Sequence, residues 1–378
     1  MKIAIFGGSF NPVHREHVNI VKAAKAVLSL DKVIIMPSNI TPKKSGKITA
    51  SVEDRLKMCH LAFDSIEGVM VSDYEIRQGG ISYSYLTCRA LKERYPKDEL
   101  FFILGADMLE SFPHWKHPEE ILKCVKLAVC ARENTEGLEN AIKSFKTTFG
   151  YEIVEFGYVG AMVSSTKIRT LAAFGESIDE YVDESTANYI NKNAIYRLKN
   201  LQSVKNYLKA ERWAHTVRVA IMMAQNCSRL VISEERAITA AALHDCAKYL
   251  ELNSPELEGF TCPEGVPFPV IHQYAGAYVA QHTFLVTDEE ILDAIRYHTS
   301  GKENMSPLGK LLFLCDMLEE GRDFEGVNEL RKIFARSMDE ALYASLERQI
   351  EYLKERHKPI YPLSLKAYEY LKENRNGK

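Results

Sequence analysis

KIAIFGGSFNPVHREHV, residues 2–18, decides how the first half of this chain folds. Ile3, Ala4, Ile5 and Phe6 form a short apolar run closed by Gly7 and Gly8, the pattern of a buried parallel strand that ends in a tight turn. Asn11 and Pro12 then precede a segment that reads as helical. Proline is tolerated in a helix's first turn because its missing N–H would be unpaired there anyway. His14 and His17, three residues apart, fall on one face of that helix. A strand, a glycine turn and a helix N-terminus carrying two imidazoles make an anion site, with phosphate the usual guest of the free backbone N–H groups. The turn holds neither G-x-G-x-x-G nor Gly-Lys-Ser/Thr, so it is neither a dinucleotide fingerprint nor a Walker loop.

A second element lies far downstream. Residues 151–156 read as a strand, and VSSTKIR, residues 163–169, opens a helix. Ser164, Ser165 and Thr166 can cap that helix and offer hydroxyls. Lys167 and Arg169 bring cations, and arginine suits planar, bidentate phosphate contacts. Together GSFNPVHREH and VSSTKIR resemble the HxGH-type nucleotidyltransferases, specifically the nicotinate-mononucleotide adenylyltransferases, whose motifs are G-x-F-N-P-x-H-x-x-H and [I/V]-S-S-T-x-I-R. One departure is Glu16, where many relatives carry glycine.

The resemblance implies an α/β, Rossmann-like nucleotidyltransferase domain with a parallel sheet over residues 1–197. The implied reaction moves AMP from ATP to nicotinate mononucleotide, giving deamido-NAD and pyrophosphate, with Mg²⁺ on the triphosphate. ATP would meet Gly7, Gly8, Ser9, Phe10, Lys44, Gly105, Asp107, Ser164, Ser165, Thr166, Ile168 and Arg169. His14, His17 and Arg169 would be catalytic, and Ser82, Tyr83, Ser84 and Trp115 would hold the mononucleotide. Lys44 stands in Pro42-Lys43-Lys44, where the family has Pro-His-Lys; Lys43 departs from that pattern. GGISYSYLT matches the family's G-x-S-Y-T with Ser84 in place of threonine, and it opens a helix whose terminus suits a carboxylate. Trp115, in SFPHWKHPE, would stack on the pyridine ring, or else anchor its loop. A rival acceptor is phosphopantetheine, against which the GADM…Trp115 region speaks.

Between these motifs, residues 28–36, 69–76, 99–104 and 127–131 read as strands. Residues 51–62 read as a helix capped by Ser51, with Arg55 and Met58 on one face, and residues 182–196 resemble the family's closing helix. Strand, helix, strand in that order implies right-handed crossovers. Asp107, in GADM, sits just past a strand's carboxyl end, where open α/β sheets bind ligands.

With 378 residues and 46% hydrophobic content, the chain can bury two or three cores. Lysine and arginine number 48 against 51 acidic residues, a net charge of −3, so no global field draws nucleic acid or an anionic membrane. The 8 cysteines form no C-x-x-C pair, which reads as reduced thiols in a cytoplasmic protein. No apolar run approaches a membrane span, and Gly, Asn, Pro and His interrupt the N-terminus too early for a signal peptide.

After Arg197 strand patterns cease and helical periodicity dominates, over a short join without glycine or proline around residues 198–202. His215, His244, Asp245, His272, His298 and Asp316 each sit within or at the end of an apolar helical segment. Burying so many imidazoles and carboxylates without partners is costly, and a shared metal centre resolves that cost. Imidazole with carboxylate suits iron, manganese, cobalt or zinc. Cys246 and Cys315 read as core, and His282 and His357 as bystanders.

The pattern H…HD…H…H…D, with HDCAK, GAYVA, YHTSG and EEGRDFEGV, resembles the HD-domain phosphohydrolases, and among them the bacterial symmetrical diadenosine-tetraphosphate hydrolases. Glu325 departs from a common proline. The resemblance implies an all-α HD domain over residues 201–378 that splits diadenosine tetraphosphate into two ADP. It also implies two transition metals, iron foremost, with Asp245 as bridge. Asp245 and Lys248 would be catalytic, and Lys248 and Arg322 would hold substrate phosphate. Open alternatives are a guanosine-tetraphosphate or deoxynucleotide hydrolase, or a regulatory module. A homo-oligomer also stays open.

Overall fold

The run around Ile5 is a central strand because its residues are apolar on both faces, as a sheet covered by helices on each side requires. In a computed structural model, which describes residues 1–41, 46–132, 137–161 and 163–376, β1 (Lys2–Gly8) pairs in parallel with β2 (Lys32–Pro37) and β4 (Glu99–Gly105). With β3 (Val69–Val71), β5 (Lys126–Arg132) and β6 (Val154–Gly160), they form a six-stranded parallel sheet in the order β3-β2-β1-β4-β5-β6. Ile3, Ala4, Ile5, Val33, Ile35, Ile103 and Ala128 are fully buried at its centre. This is the Rossmann-like sheet expected. The order reverses between β1 and β4, and the crevice above their carboxyl ends is where such folds bind ligands.

Three strands differ from the sequence reading by three residues or more at one end or both. β2 starts at Lys32, because Leu28 still caps the preceding helix, Arg15–Val27. β3 stops at Val71, and residues 74–78 turn into a short helix instead of extending it. Tyr74 and Ile76 look like strand alternation, yet one turn of helix also brings Tyr74 onto the core. β6 runs from Val154 rather than from Tyr151, and Tyr151 is exposed. Its glycines, Gly157 at φ 56° among them, hide the strand from a propensity reading. The closing helix is also shorter, Glu184–Lys192, capped by the Asp183 carboxylate on the Thr186 N–H.

The chain divides into two compact units: Met1–Lys44 with Thr49–Ala172 and Ser177–Tyr196, and Ser45–Ile48 with Ala173–Glu176 and Arg197–Lys378. The second unit is helical, with its core on Ala210–Asn226, Glu234–Leu243, Ile271–His282, Glu289–Arg296 and Pro307–Leu318. Alanine and glycine on these helices, Ala240, Ala241, Ala275 and Gly276 among them, let the backbones approach closely; a Cβ on Gly276 would lie 3.2 Å from the His244 carbonyl. No helix among the described residues is long and apolar enough to cross a membrane.

Candidate active sites

In the first unit, β1 delivers its chain into the loop 9–14 at the top of the sheet. Phe10 takes φ 45° and buries its ring against Phe6, His17 and Phe63. The side chain therefore packs the core, and only the backbone of Phe10 is available to a phosphate. Gly8 fits against that ring, since a Cβ there would lie 3.3 Å from it.

Two buried guanidiniums hold the loop. Arg55 donates Nη1 to the Ser9 and Ser38 carbonyls at 2.8 and 2.7 Å, and Nη2 to the Asn39 carbonyl at 3.0 Å. Arg169 donates Nη1 to the Asn11 carbonyl at 2.6 Å and Nη2 to Thr166 Oγ1 at 2.9 Å. Asn11 in turn accepts from the Ala50 N–H and the Tyr196 hydroxyl. Arg169 thus ties the loop after β1 to the helix after β6, and Ser165 reinforces the tie by donating to the Pro12 carbonyl at 3.1 Å. Replacing Arg55 with Met would leave three carbonyls without their charged donor, so R55M should lower stability by about 3 kcal/mol. Urea unfolding of the full chain checks it; an unchanged transition would deny the clamp.

His14 is the N-cap of the helix Arg15–Val27, and its ring stacks on that of His17 with centroids 3.6 Å apart. His17 Nδ1 accepts the His14 backbone N–H at 3.1 Å. A neutral ring that accepts at Nδ1 carries its proton on Nε2, so His17 is set as an Nε2–H donor. Glu16 points to β6, where it accepts from the Tyr158 hydroxyl at 2.5 Å. Ile168 lies on the helix Ser165–Phe174 and is fully buried. Gly105 ends β4 and caps the helix Ala106–Ser111, with Asp107 in that helix's first turn. Gly7, next to last in β1, lies beside the Phe102 ring. Ser164 Oγ accepts from the Lys167 N–H at 3.4 Å. Lys44 lies outside the described residues.

Ser82 Oγ accepts from the Asn39 N–H at 2.9 Å, which joins the GGISYSYLT segment to the loop after β2. Tyr83 caps the helix Ser84–Arg94, and Lys116 Nζ lies 4.2 Å from its ring centroid. Trp115 is half-buried against Phe102 and Phe112 and donates Nε1–H to Ser111 Oγ at 3.4 Å. It anchors its loop as well as offering a face.

In the second unit all six predicted ligand residues converge. His215 Nε2 lies 2.9 Å from Asp316 Oδ1, and His244 Nε2 lies 3.8 Å from the same oxygen. The two oxygens of Asp245 face different rings: Oδ2 is 3.3 Å from His244 Nε2, while Oδ1 is 3.2 Å from His272 Nε2 and 3.6 Å from His298 Nε2. His215, His244 and Asp316 could hold one metal ion, and His244, Asp245 and His298 form a second such group.

Backbone carbonyls orient two of the rings. His244 Nδ1 bonds the Ala241 carbonyl at 2.6 Å, and His298 Nδ1 bonds the Ile295 carbonyl at 2.8 Å. An imidazole that gives Nδ1–H to an oxygen turns the Nε2 lone pair to the metal. His244 Nε2 and Asp245 Oδ1 are buried, and the groups that face them are not aligned for a hydrogen bond, an arrangement a protein rarely leaves without a reason. The residues fit a divalent metal. Burial pushes His272 down to about 4 against the pull of Asp245, so its ring stays neutral at ordinary pH, as a ligand must. Burial alone would raise the Asp245 carboxyl, but His244, His272 and His298 outweigh it and hold the carboxyl well below the usual range.

Cations line the same centre. Lys248 Nζ lies 3.0 Å from His272 Nε2 and 3.4 Å from Asp245 Oδ1. Arg322 donates Nε to the Asp316 carbonyl at 2.8 Å and Nη2 to Asp316 Oδ1 at 2.7 Å. Arg212, which the sequence reading passed over, lies with Nη1 3.0 Å from Asp245 Oδ2.

Comparison with known proteins agrees with both halves. The cytidylyltransferase-like family profile matches residues 5–171, and the HD domain profile matches residues 212–321. A Geobacter sulfurreducens protein described as "Probable nicotinate-nucleotide adenylyltransferase" is 35% identical over 212 residues, 52% of this chain and 98% of its own length. The chain belongs to the nicotinate-nucleotide adenylyltransferase family. A Mycoplasma genitalium protein described as "Probable nicotinate-nucleotide adenylyltransferase/Ap4A hydrolase" is 28% identical over 330 residues, 86% of this chain and 89% of its own length. A solved Clostridium acetobutylicum structure, described as a predicted HD superfamily hydrolase involved in NAD metabolism, is 28% identical, with a TM-score of 0.42; the match covers 46% of this chain and 95% of that one.

Within this adenylyltransferase family member, the sequence reading missed the residues that hold others in place. Arg55, which the sequence places with Met58 on one helix face without a role, is 3% exposed. Glu319 enters the sequence reading only as the first residue of EEGRDFEGV, with no role of its own, yet it is 1% exposed. It accepts from His215 Nδ1 at 3.0 Å, from Arg218 Nε at 2.5 Å and from the Gly321 N–H at 2.6 Å. Burial alone would raise its carboxyl; these donors hold it down to about 2.

Proposed function

We propose that residues 1–197 transfer AMP from ATP to nicotinate mononucleotide and that residues 201–378 hydrolyse diadenosine tetraphosphate to two ADP. The observation that carries the pairing is the fused Mycoplasma relative, whose description names both activities and whose match spans 86% of this chain.

In the transfer, a phosphate oxygen of the mononucleotide attacks the α-phosphorus in line, and the bond to the β-phosphate breaks as pyrophosphate leaves. The attacking oxygen is already anionic, so no general base is required, and catalysis rests on placement and charge stabilisation. His17 Nε2–H and His14 donate to the phosphates, while the N–H groups of the loop 9–14 and the hydroxyls of residues 164–166 cradle the departing pyrophosphate. Arg169 grips the same end while tying the two loops, and Lys44 and Asp107 belong to the ATP site. Mg²⁺ would screen the triphosphate. Ser82, Tyr83, Ser84 and Trp115 hold the mononucleotide, its carboxylate at the helix terminus and its pyridine on the indole.

In the hydrolase half, His215, His244, Asp245, His272, His298 and Asp316 would hold two metal ions, iron foremost. The metals would supply an activated water and neutralise the phosphate under attack. Asp245, whose oxygens face His244 on one side and His272 and His298 on the other, would be a ligand at that centre. Lys248, Arg322 and Arg212 orient the polyphosphate.

The test is product analysis on the anaerobically purified full chain. ATP with nicotinate mononucleotide should give deamido-NAD. Nicotinamide mononucleotide or phosphopantetheine turning over faster would overturn the acceptor assignment. Diadenosine tetraphosphate should give ADP alone; ATP with AMP would overturn symmetrical cleavage. Base–aromatic stacking contributes ~1–3 kcal/mol, so W115A should raise KM for the mononucleotide about 5- to 100-fold with kcat little changed. An unchanged KM would leave Trp115 as a loop anchor alone.

A further inference from the structure

Of the three described imidazoles whose Nδ1 has a named partner in the metal cluster, two are oriented by backbone carbonyls and one by a side chain. His244 and His298 use the Ala241 and Ile295 carbonyls; His215 uses the Glu319 carboxylate at 3.0 Å. That carboxylate is itself built in. Arg218 reaches it with Nε and Nη2, at 2.5 and 3.3 Å, and the Gly321 N–H reaches it at 2.6 Å. Arg331 donates Nη2 to the Glu319 backbone carbonyl at 2.7 Å, which fixes the chain there. Gly321 is glycine for a reason: a Cβ would lie 2.6 Å from the Arg218 guanidinium. So much structure converges on one buried carboxylate, with His215 Nδ1 at 3.0 Å and Arg322 Nε at 3.9 Å from its Oε1, that it reads as a support for that ring.

We infer that Glu319 is a positioning residue that holds the His215 imidazole so that Nε2 serves the position shared with His244 and Asp316, and that it has no such hold on the position of His272 and His298. The inference rests on the reading of this half as a metal centre. A carboxylate behind a ligating imidazole also raises its basicity, and losing such a partner typically costs 10–100-fold in metal affinity.

The experiment titrates Mn²⁺ into the metal-stripped full chain and counts equivalents by calorimetry and metal analysis. Wild type should take two. Glu319→Ala should keep one at wild-type affinity and bind the other about 10- to 100-fold more weakly. Glu319→Gln, which keeps an acceptor oxygen for Nδ1–H, should fall between. The equivalent retained by Glu319→Ala also shows that the domain has folded. Both equivalents bound by Glu319→Ala at wild-type affinity would overturn the inference, as would loss of both in Glu319→Ala and Glu319→Gln alike. Wild type that binds no Mn²⁺ would instead overturn the metal-centre reading itself.

Discussion

His17→Ala should lower kcat for deamido-NAD formation by about 10²- to 10³-fold, the cost of removing one fixed donor from a transition state that gathers negative charge. The residue is placed for that role by bonds within its own helix turn. Its Nδ1 is occupied by the His14 N–H, so the proton of the neutral ring is on Nε2. Its ring is wedged between that of His14 at 3.6 Å and that of Phe10 at 5.1 Å, so the donor reaches the reaction already oriented. KM for ATP should move far less than kcat, because the interaction strengthens as the α-phosphorus is attacked. Steady-state kinetics on the full chain decide it. A variant with unchanged kcat and a raised KM would make His17 a ground-state binding residue.

Asp245→Asn should abolish diadenosine-tetraphosphate hydrolysis, with a loss of more than ~100-fold, since outer partners of a metal ligand already cost 10–100-fold. The substitution keeps the shape and removes the charge. Asp245 is 1% exposed and faces His244 with one oxygen and His272 and His298 with the other, so no neighbour can replace it. Metal content should fall with the activity, and deamido-NAD formation should continue at the wild-type rate. Full hydrolysis by Asp245→Asn, or hydrolysis surviving metal removal, would refute the dinuclear reading.

The sequence showed the chemistry more clearly than its supports. The loop after β1 was legible because a strand, two glycines, a proline and two histidines occupy adjacent positions. The clustering of the six candidate ligand residues was legible because imidazoles and carboxylates are rare within apolar helical stretches. The supporting roles of Arg55, Arg212 and Glu319 were not, because a charged residue on a helix or in a charged run is usually solvated, and only the fold shows that two of these three are buried. β6 was displaced in the reading because glycine at 157 interrupts the alternation. The short β3 was overextended because a helical turn at residues 74–78 keeps Tyr74 on the core, much as a strand would.

The most direct test of two phosphate chemistries in one chain is ³¹P NMR of the purified full-length protein, given ATP with nicotinate mononucleotide in one tube and diadenosine tetraphosphate in the other. The first should show pyrophosphate and a new dinucleotide diphosphate resonance in equal amounts; the second should show only ADP, and only while metal is bound. A first tube without pyrophosphate, or a second that yields ATP and AMP or hydrolyses equally well after metal removal, would contradict the account.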